Sequence, residues 1–257
     1  MDMKVLIFGD SYADPKGTPN FTWHKKLKNN YSVVNYAETG TGPQYSFELF
    51  YDLKIEKNNV IIFLLSDSHR INFHGGSIFK GELSHIVWDE KVKKSYCVFE
   101  KYSKNLLTNR HMRILDYHKK YKEHIDFFYL TQQKELSRIN SKNILFLHNV
   151  SKKNDIKIMV FDIFKSTRED MTYLNDNKFH LFPNFLSEKS IGEIYEKEID
   201  IFDRHSDKRF NHFSEINHQI FYEYVNNFIR DINKFPKFKQ NFKHCEDVYE
   251  STKFIYE

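Results

Sequence analysis

The segment Val5-Leu6-Ile7-Phe8-Gly9-Asp10-Ser11 sets an acid and a hydroxyl directly after an apolar run that stops at a glycine. Such a run reads as a buried strand, and open α/β sheets bind their ligands at the carboxyl ends of strands. A helix starting nearby would add free N–H groups and a positive partial charge beside that hydroxyl. Both features suit a serine nucleophile. The competing reading of Asp10 and Ser11 is that they are turn and cap residues.

Two further segments repeat the pattern of polar groups next to element ends. Val33-Val34-Asn35-Tyr36-Ala37-Glu38-Thr39-Gly40-Thr41-Gly42 is a second strand followed by a glycine-bearing loop. A glycine at that edge exposes its N–H, which with the Ser11 amide would hold a developing oxyanion; losing one such donor costs ~10²–10³ in rate. The alternatives are an ordinary turn or a dinucleotide loop. The second fails because the third glycine is missing and Pro43 lacks a donor. Near the C-terminus, Arg209-Phe210-Asn211-His212-Phe213-Ser214-Glu215-Ile216-Asn217-His218 offers two imidazoles. His212 falls on a loop, where a general base belongs, whereas His218 falls inside the following helix and reads as a packing or hydrogen-bonding residue. Ser214 is the candidate N-cap.

Together these segments resemble the SGNH (GDSL-type) hydrolases. Gly9-Asp10-Ser11 is similar to their first block, Asn35 through Gly40 to the second, and His212-Phe213-Ser214 to the last. Trp23-His24-Lys25-Lys26-Leu27 also resembles members from phages and marine bacteria. The resemblance implies a three-layer α/β/α sandwich with a flavodoxin-like parallel sheet. It also implies a Ser11 nucleophile, a His212 base and oxyanion donors at Ser11 and Gly40. The implied substrate is a small ester or an O-acetylated carbohydrate, and no cofactor is required.

The chain departs from that pattern twice. The third block usually carries an oxyanion-binding Asn, but here Leu64-Leu65-Ser66-Asp67-Ser68-His69 puts Asp67 in its register. A carboxylate ~4 Å from an oxyanion repels it by ~4 kcal/mol at an effective dielectric of 20, which cancels one donor. Ser66 is the first choice for a replacement hydroxyl donor, ahead of Ser68. The usual Asp three residues before the histidine is Arg209. Asp207 is then the candidate orienting acid, with Asp203 behind it and a Ser–His dyad as the other option. Asp67 and Arg209 also favour a rival class: an SGNH-like fold without catalysis that binds a glycan or a protein.

Elements must bring these groups together over a long sequence span. Strands are expected near 4–9, 31–36, 60–65 and 156–161, and helices near 23–27, 45–56, 103–150 and 214–233. Strands separated by helices imply parallel pairing. Along the third helical stretch Leu130, Leu136, Ile139, Ile144 and Leu147 fall near one face. Residues 70–102, rich in aromatics and containing Gly75-Gly76, read as an irregular insertion, hairpin or lid over the sheet edge. Residues 166–200 are polar and aromatic, with Pro183 marking a loop. One domain over 1–236 and a tail over 237–257 are expected.

Bulk properties narrow the classes. The 257 residues are 40% hydrophobic and 17% aromatic, enough for one large α/β core. A net charge of +4, with lysines scattered among acids, argues against a nucleic-acid partner. No apolar run is long enough to span a bilayer, and the first residues read as a strand, not a signal peptide, so a cytoplasmic setting is expected. Cys97 and Cys245 form no metal-ligand spacing, and His69, His74 and His85 match no tight ligand pattern. Gly-x-Ser-x-Gly, P-loop and zinc-protease motifs are absent from the sequence.

Overall fold

A computed structural model of the chain describes residues 3–15, 20, 22–39, 41–65, 86–89, 92–97, 100, 107, 109–162, 170–182 and 215–230. The apolar run after Met3 forms β1 (Lys4–Gly9), with every residue from Val5 onward buried. In chain order there follow α1 (Trp23–Leu27), β2 (Ser32–Asn35), α2 (Pro43–Tyr51) and β3 (Asn59–Leu65). Next come β4 (Ile86–Asp89), β5 (Lys94–Cys97), α3 (Asn109–Asn154), β6 (Lys157–Asp162), β7 (Phe179–Phe182) and α4 (Glu215–Arg230).

Five strands form one sheet in the order β2-β1-β3-β6-β7, and every neighbouring pair is parallel. The fold is therefore of the α/β kind. Alternation along each strand sends side chains to two faces. Val5, Ile7, Val60, Ile62, Leu64, Met159 and Phe161 meet α1 and α4 through Trp23, Leu27, Phe221, Val225 and Phe228. Leu6, Phe8, Ile61, Phe63, Ile158 and Val160 meet α2 and the C-terminal part of α3 through Phe47, Phe50, Ile144 and Leu147. Helices thus cover both faces. Winding leaves β1 toward β2 on one side, then continues from β3 outward on the other. The reversal falls between β1 and β3, at whose carboxyl ends open α/β sheets bind their ligands.

β7 is a strand that the polar and aromatic stretch 166–200 does not announce, and it ends just before the loop expected at Pro183. Phe179 and Leu181 are buried against one face, and the strand pairs with β6 at the sheet edge. Its outer side is covered locally: the Asn175 side chain donates to the Leu181 carbonyl at 3.2 Å and accepts the Leu181 amide at 2.7 Å. An amide side chain thus replaces a neighbouring strand and blunts the edge.

α3 differs most from expectation. Its 46 residues span ~69 Å, whereas the longest strand, of 7 residues, spans ~23 Å. Only its C-terminal part lies on the sheet. Ile144 and Leu147 are fully buried there, but Leu130 is 55% and Ile139 36% exposed, so the five apolar residues do not share one buried face. Nearer its start, Ile114, Leu115 and Tyr129 receive the antiparallel β4–β5 hairpin through Ile86, Trp88 and Cys97. The hairpin expected within 70–102 is therefore present, packed on α3 and not on the main sheet. α3 stops at Asp155, whose φ of 57° reverses the chain, while the Ile156 amide donates to the Ser151 carbonyl at 3.1 Å.

Candidate active-site rim

β1 ends where only glycine fits. Gly9 has φ 157°, and a Cβ there would lie 2.8 Å from the Leu64 carbonyl oxygen. The next residue turns the chain. Asp10, 1% exposed, accepts the Tyr12 amide on Oδ1 at 3.1 Å, and its carbonyl accepts the amides of Ala13 and Asp14, both at 3.0 Å. Asp10 is thus a turn residue. No α-helix follows this turn directly, because α1 starts at Trp23, so the helix N-terminus that would have flanked the serine is not supplied by α1.

Ser11 sits within this turn at the carboxyl rim, 8% exposed. Among the described residues, neither its hydroxyl nor its amide has a hydrogen-bond partner. The turn around it is fastened on two sides. The Trp23 indole donates to the Tyr12 carbonyl at 3.0 Å, and Asn35 Nδ2 donates to the Ala13 carbonyl at 2.7 Å.

The loop after β2 closes against the same turn. The Glu38 amide donates to the Gly9 carbonyl at 3.1 Å, and the Thr39 amide donates to Asp14 Oδ2 at 2.7 Å. Asn35 Oδ1 accepts the Ala37 amide at 2.9 Å, while Thr41 Oγ1 donates to the Glu38 carbonyl at 2.8 Å. Tyr45 donates to Glu38 Oε2 at 2.6 Å. These contacts bring the first and second sequence segments to one rim. Gly40, Ser66, Asp67, Asp203, Asp207, Arg209 and His212 lie outside the described residues. His218 is 2% exposed, and its Nδ1 accepts the Trp23 amide at 3.4 Å.

A second serine–histidine–acid cluster escaped the sequence reading. Ser95 Oγ is 2.9 Å from His118 Nε2, and His118 Nδ1 is 2.9 Å from Glu100 Oε1. Burial is the main force pushing the His118 imidazole below its usual range, against the pull of Glu100. The hydroxyl, however, donates to Asp126 Oδ1 at 2.5 Å, and the Ser95 amide donates to the same oxygen at 2.6 Å. Lys122 donates to the Ser95 carbonyl. With its proton directed at a carboxylate and only 2% exposure, Ser95 clamps β5 to α3 and is not a nucleophile. No sequence spacing signals this cluster, because a hairpin and a distant helix turn create it.

Among the described residues, no group of three or more His, Cys, Asp and Glu could hold a metal ion, and no helix is long and apolar enough to cross a membrane. Asp162, 6% exposed, closes β6 at the same rim and pairs in register with Leu65. The sequence pattern ends that strand at Phe161 and so gives Asp162 no signal. No family model, curated protein or solved structure matches the chain.

Proposed function

We propose that the chain is a serine hydrolase of the SGNH type, built as a three-layer α/β/α sandwich around a flavodoxin-like sheet. The observation that carries this reading is Ser11 itself. It follows β1 at the point where the winding reverses, beside the β2 loop, with its hydroxyl bonded to no described residue.

In the proposed reaction Ser11 Oγ attacks the carbonyl carbon of a small ester or an O-acetylated sugar. His212 takes the hydroxyl proton and gives it to the departing alcohol as the ester C–O bond breaks. Asp207 orients the imidazole. The amides of Ser11 and Gly40, with the Ser66 hydroxyl, hold the oxyanion. Water, deprotonated by His212, then releases the acid and restores Ser11. No metal or cofactor enters these steps.

A second reading, a glycan- or protein-binding module on the same scaffold, draws on Asp67 and Arg209, which stand where an amide donor and an acid are usual. Fluorophosphonate labelling with mass mapping separates the two. Hydrolysis requires modification at Ser11 in the wild type and none in Ser11→Ala. Folded wild-type protein that stays unlabelled and does not cleave p-nitrophenyl acetate favours the binding module.

A further inference from the structure

We propose that Asp14 is a positioning residue for Ser11: its carboxylate sets the loop after β2 against the turn after β1. It thereby holds Thr39, the residue that precedes the proposed oxyanion donor. The inference rests on the hydrolase reading above.

Among the described residues several ties join the two rim loops, and they differ in what they fix. The Glu38 amide reaches the Gly9 carbonyl, and the Asn35 side chain reaches the Ala13 carbonyl. Both act at or before residue 38. Beyond residue 38 the Thr41 hydroxyl reaches the Gly9 carbonyl at 3.4 Å, whereas the Asp14 tie holds the backbone of Thr39, next to Gly40, and at 2.7 Å is as short as the Asn35 tie. Asp14 is 3% exposed, so water competes poorly for its oxygens. Its own amide is bonded to the Asp10 carbonyl at 3.0 Å, which makes its backbone part of the turn that carries Ser11.

A side chain anchored in the nucleophile's turn therefore grips the backbone one residue before the proposed oxyanion donor. Oxyanion donors work only when aimed at the position the oxygen takes in the transition state. A misplacement of about 1 Å can cost 10²-fold in rate. Asp14 touches neither substrate nor reacting atoms in this scheme; it acts through Thr39.

The test compares wild type, Asp14→Ala and Asp14→Asn, with p-nitrophenyl acetate turnover counted per Ser11 that accepts a fluorophosphonate. Counting labelled sites removes unfolded molecules from the comparison. Asp14→Ala should lose kcat by about 10²-fold with KM little changed. Asp14→Asn keeps an acceptor oxygen and should recover most of that loss. Amide hydrogen exchange at Thr39 should be faster in Asp14→Ala than in Asp14→Asn. Should Asp14→Ala yield no folded protein, Asp14→Glu, one methylene longer, carries the test with a loss of about 10-fold. Labelling of wild-type Ser11 together with unchanged kcat per site in the variants overturns the Asp14 assignment alone. A wild-type chain that is never labelled at Ser11 overturns the hydrolase reading and this assignment with it.

Discussion

His218 Nδ1 accepts the backbone N–H of Trp23 at 3.4 Å, joining α4 to the first residue of α1 across 195 positions of sequence. The first N–H groups of a helix have no partner within it, and the Thr22 side chain makes no cap here. Removing the imidazole would leave a buried N–H without its acceptor and open space beside Trp23. His218→Ala should therefore cost about 1–3 kcal/mol of stability. Fluorophosphonate labelling of Ser11 in the folded fraction should stay at the wild-type rate. Urea unfolding checks the first and a labelling time course the second. An abolished reaction in a stably folded variant would move the catalytic role to His218.

Local pattern made much of this architecture readable, and tertiary geometry hid the rest. β1 and β3 are apolar runs bounded by polar residues, and Trp23–Leu27 falls on the helix expected there. β7 was hidden because four residues carrying His180 and followed by Pro183 hold too little periodicity to read. Leu130 and Ile139 repeat at helical spacing, yet α3 serves three separate apolar clusters, and spacing does not say where a partner ends. The rim position of Ser11 was legible from a strand stopping at Gly9. The Asp14–Thr39 bond was not, because it forms only when β2 lies beside β1.

Stability should fall on mild acidification. His118, His148 and His180 all hold a proton less readily than free imidazole, with burial the leading cause at each. At His148 the charge of Lys152 adds to this and Asp176 opposes it. The folded chain then binds fewer protons than the unfolded one. The contribution is present above the unfolded value of about 6.5 and is lost as pH falls through it toward the folded values. Each histidine can change the slope by at most about 1.4 kcal/mol per pH unit. Calorimetry from pH 7.5 to 5 should show a falling Tm, with a shallower fall in His180→Phe. That substitution keeps ring contact with Phe182 and Phe228. A Tm that holds or rises toward pH 5.5 contradicts the assignment.

The hairpin clamp should be separable from the rim. Asp126 Oδ1 accepts both the amide and the hydroxyl of Ser95. Asp126→Ala leaves two buried donors without that acceptor, at about 1–3 kcal/mol for each one left unpaired. The loss should fall on the docking of β4–β5 to α3, not on the parallel sheet. Limited proteolysis should cut within 86–97 sooner than in wild type, while Ser11 labelling per folded molecule stays within about 2-fold, since distant sites without shared partners act nearly independently. Unaltered proteolysis would show that the hairpin is held mainly by Trp88 stacking on Tyr129.

Gly9 offers the sharpest test of how the fold presents its serine. A methyl group there would meet the Leu64 carbonyl oxygen at 2.8 Å and Leu64 Cβ at 3.1 Å. Neither contact belongs to the far end of a flexible side chain, so the backbones of β1 and β3 must separate. The φ of 157° adds a conformation that side chains disfavour, at about 1–3 kcal/mol. The displacement falls two residues before Ser11 and at the carbonyl that receives the Glu38 amide, so it reaches both rim loops at once. Gly9→Ala should therefore lower Tm and also slow Ser11 labelling per folded molecule by about 10-fold or more. Thermal unfolding and labelling kinetics on the same preparation separate the two effects. A variant that is destabilised yet labels Ser11 at the wild-type rate would show that the rim tolerates movement of β1, and the argument from precise placement would fall.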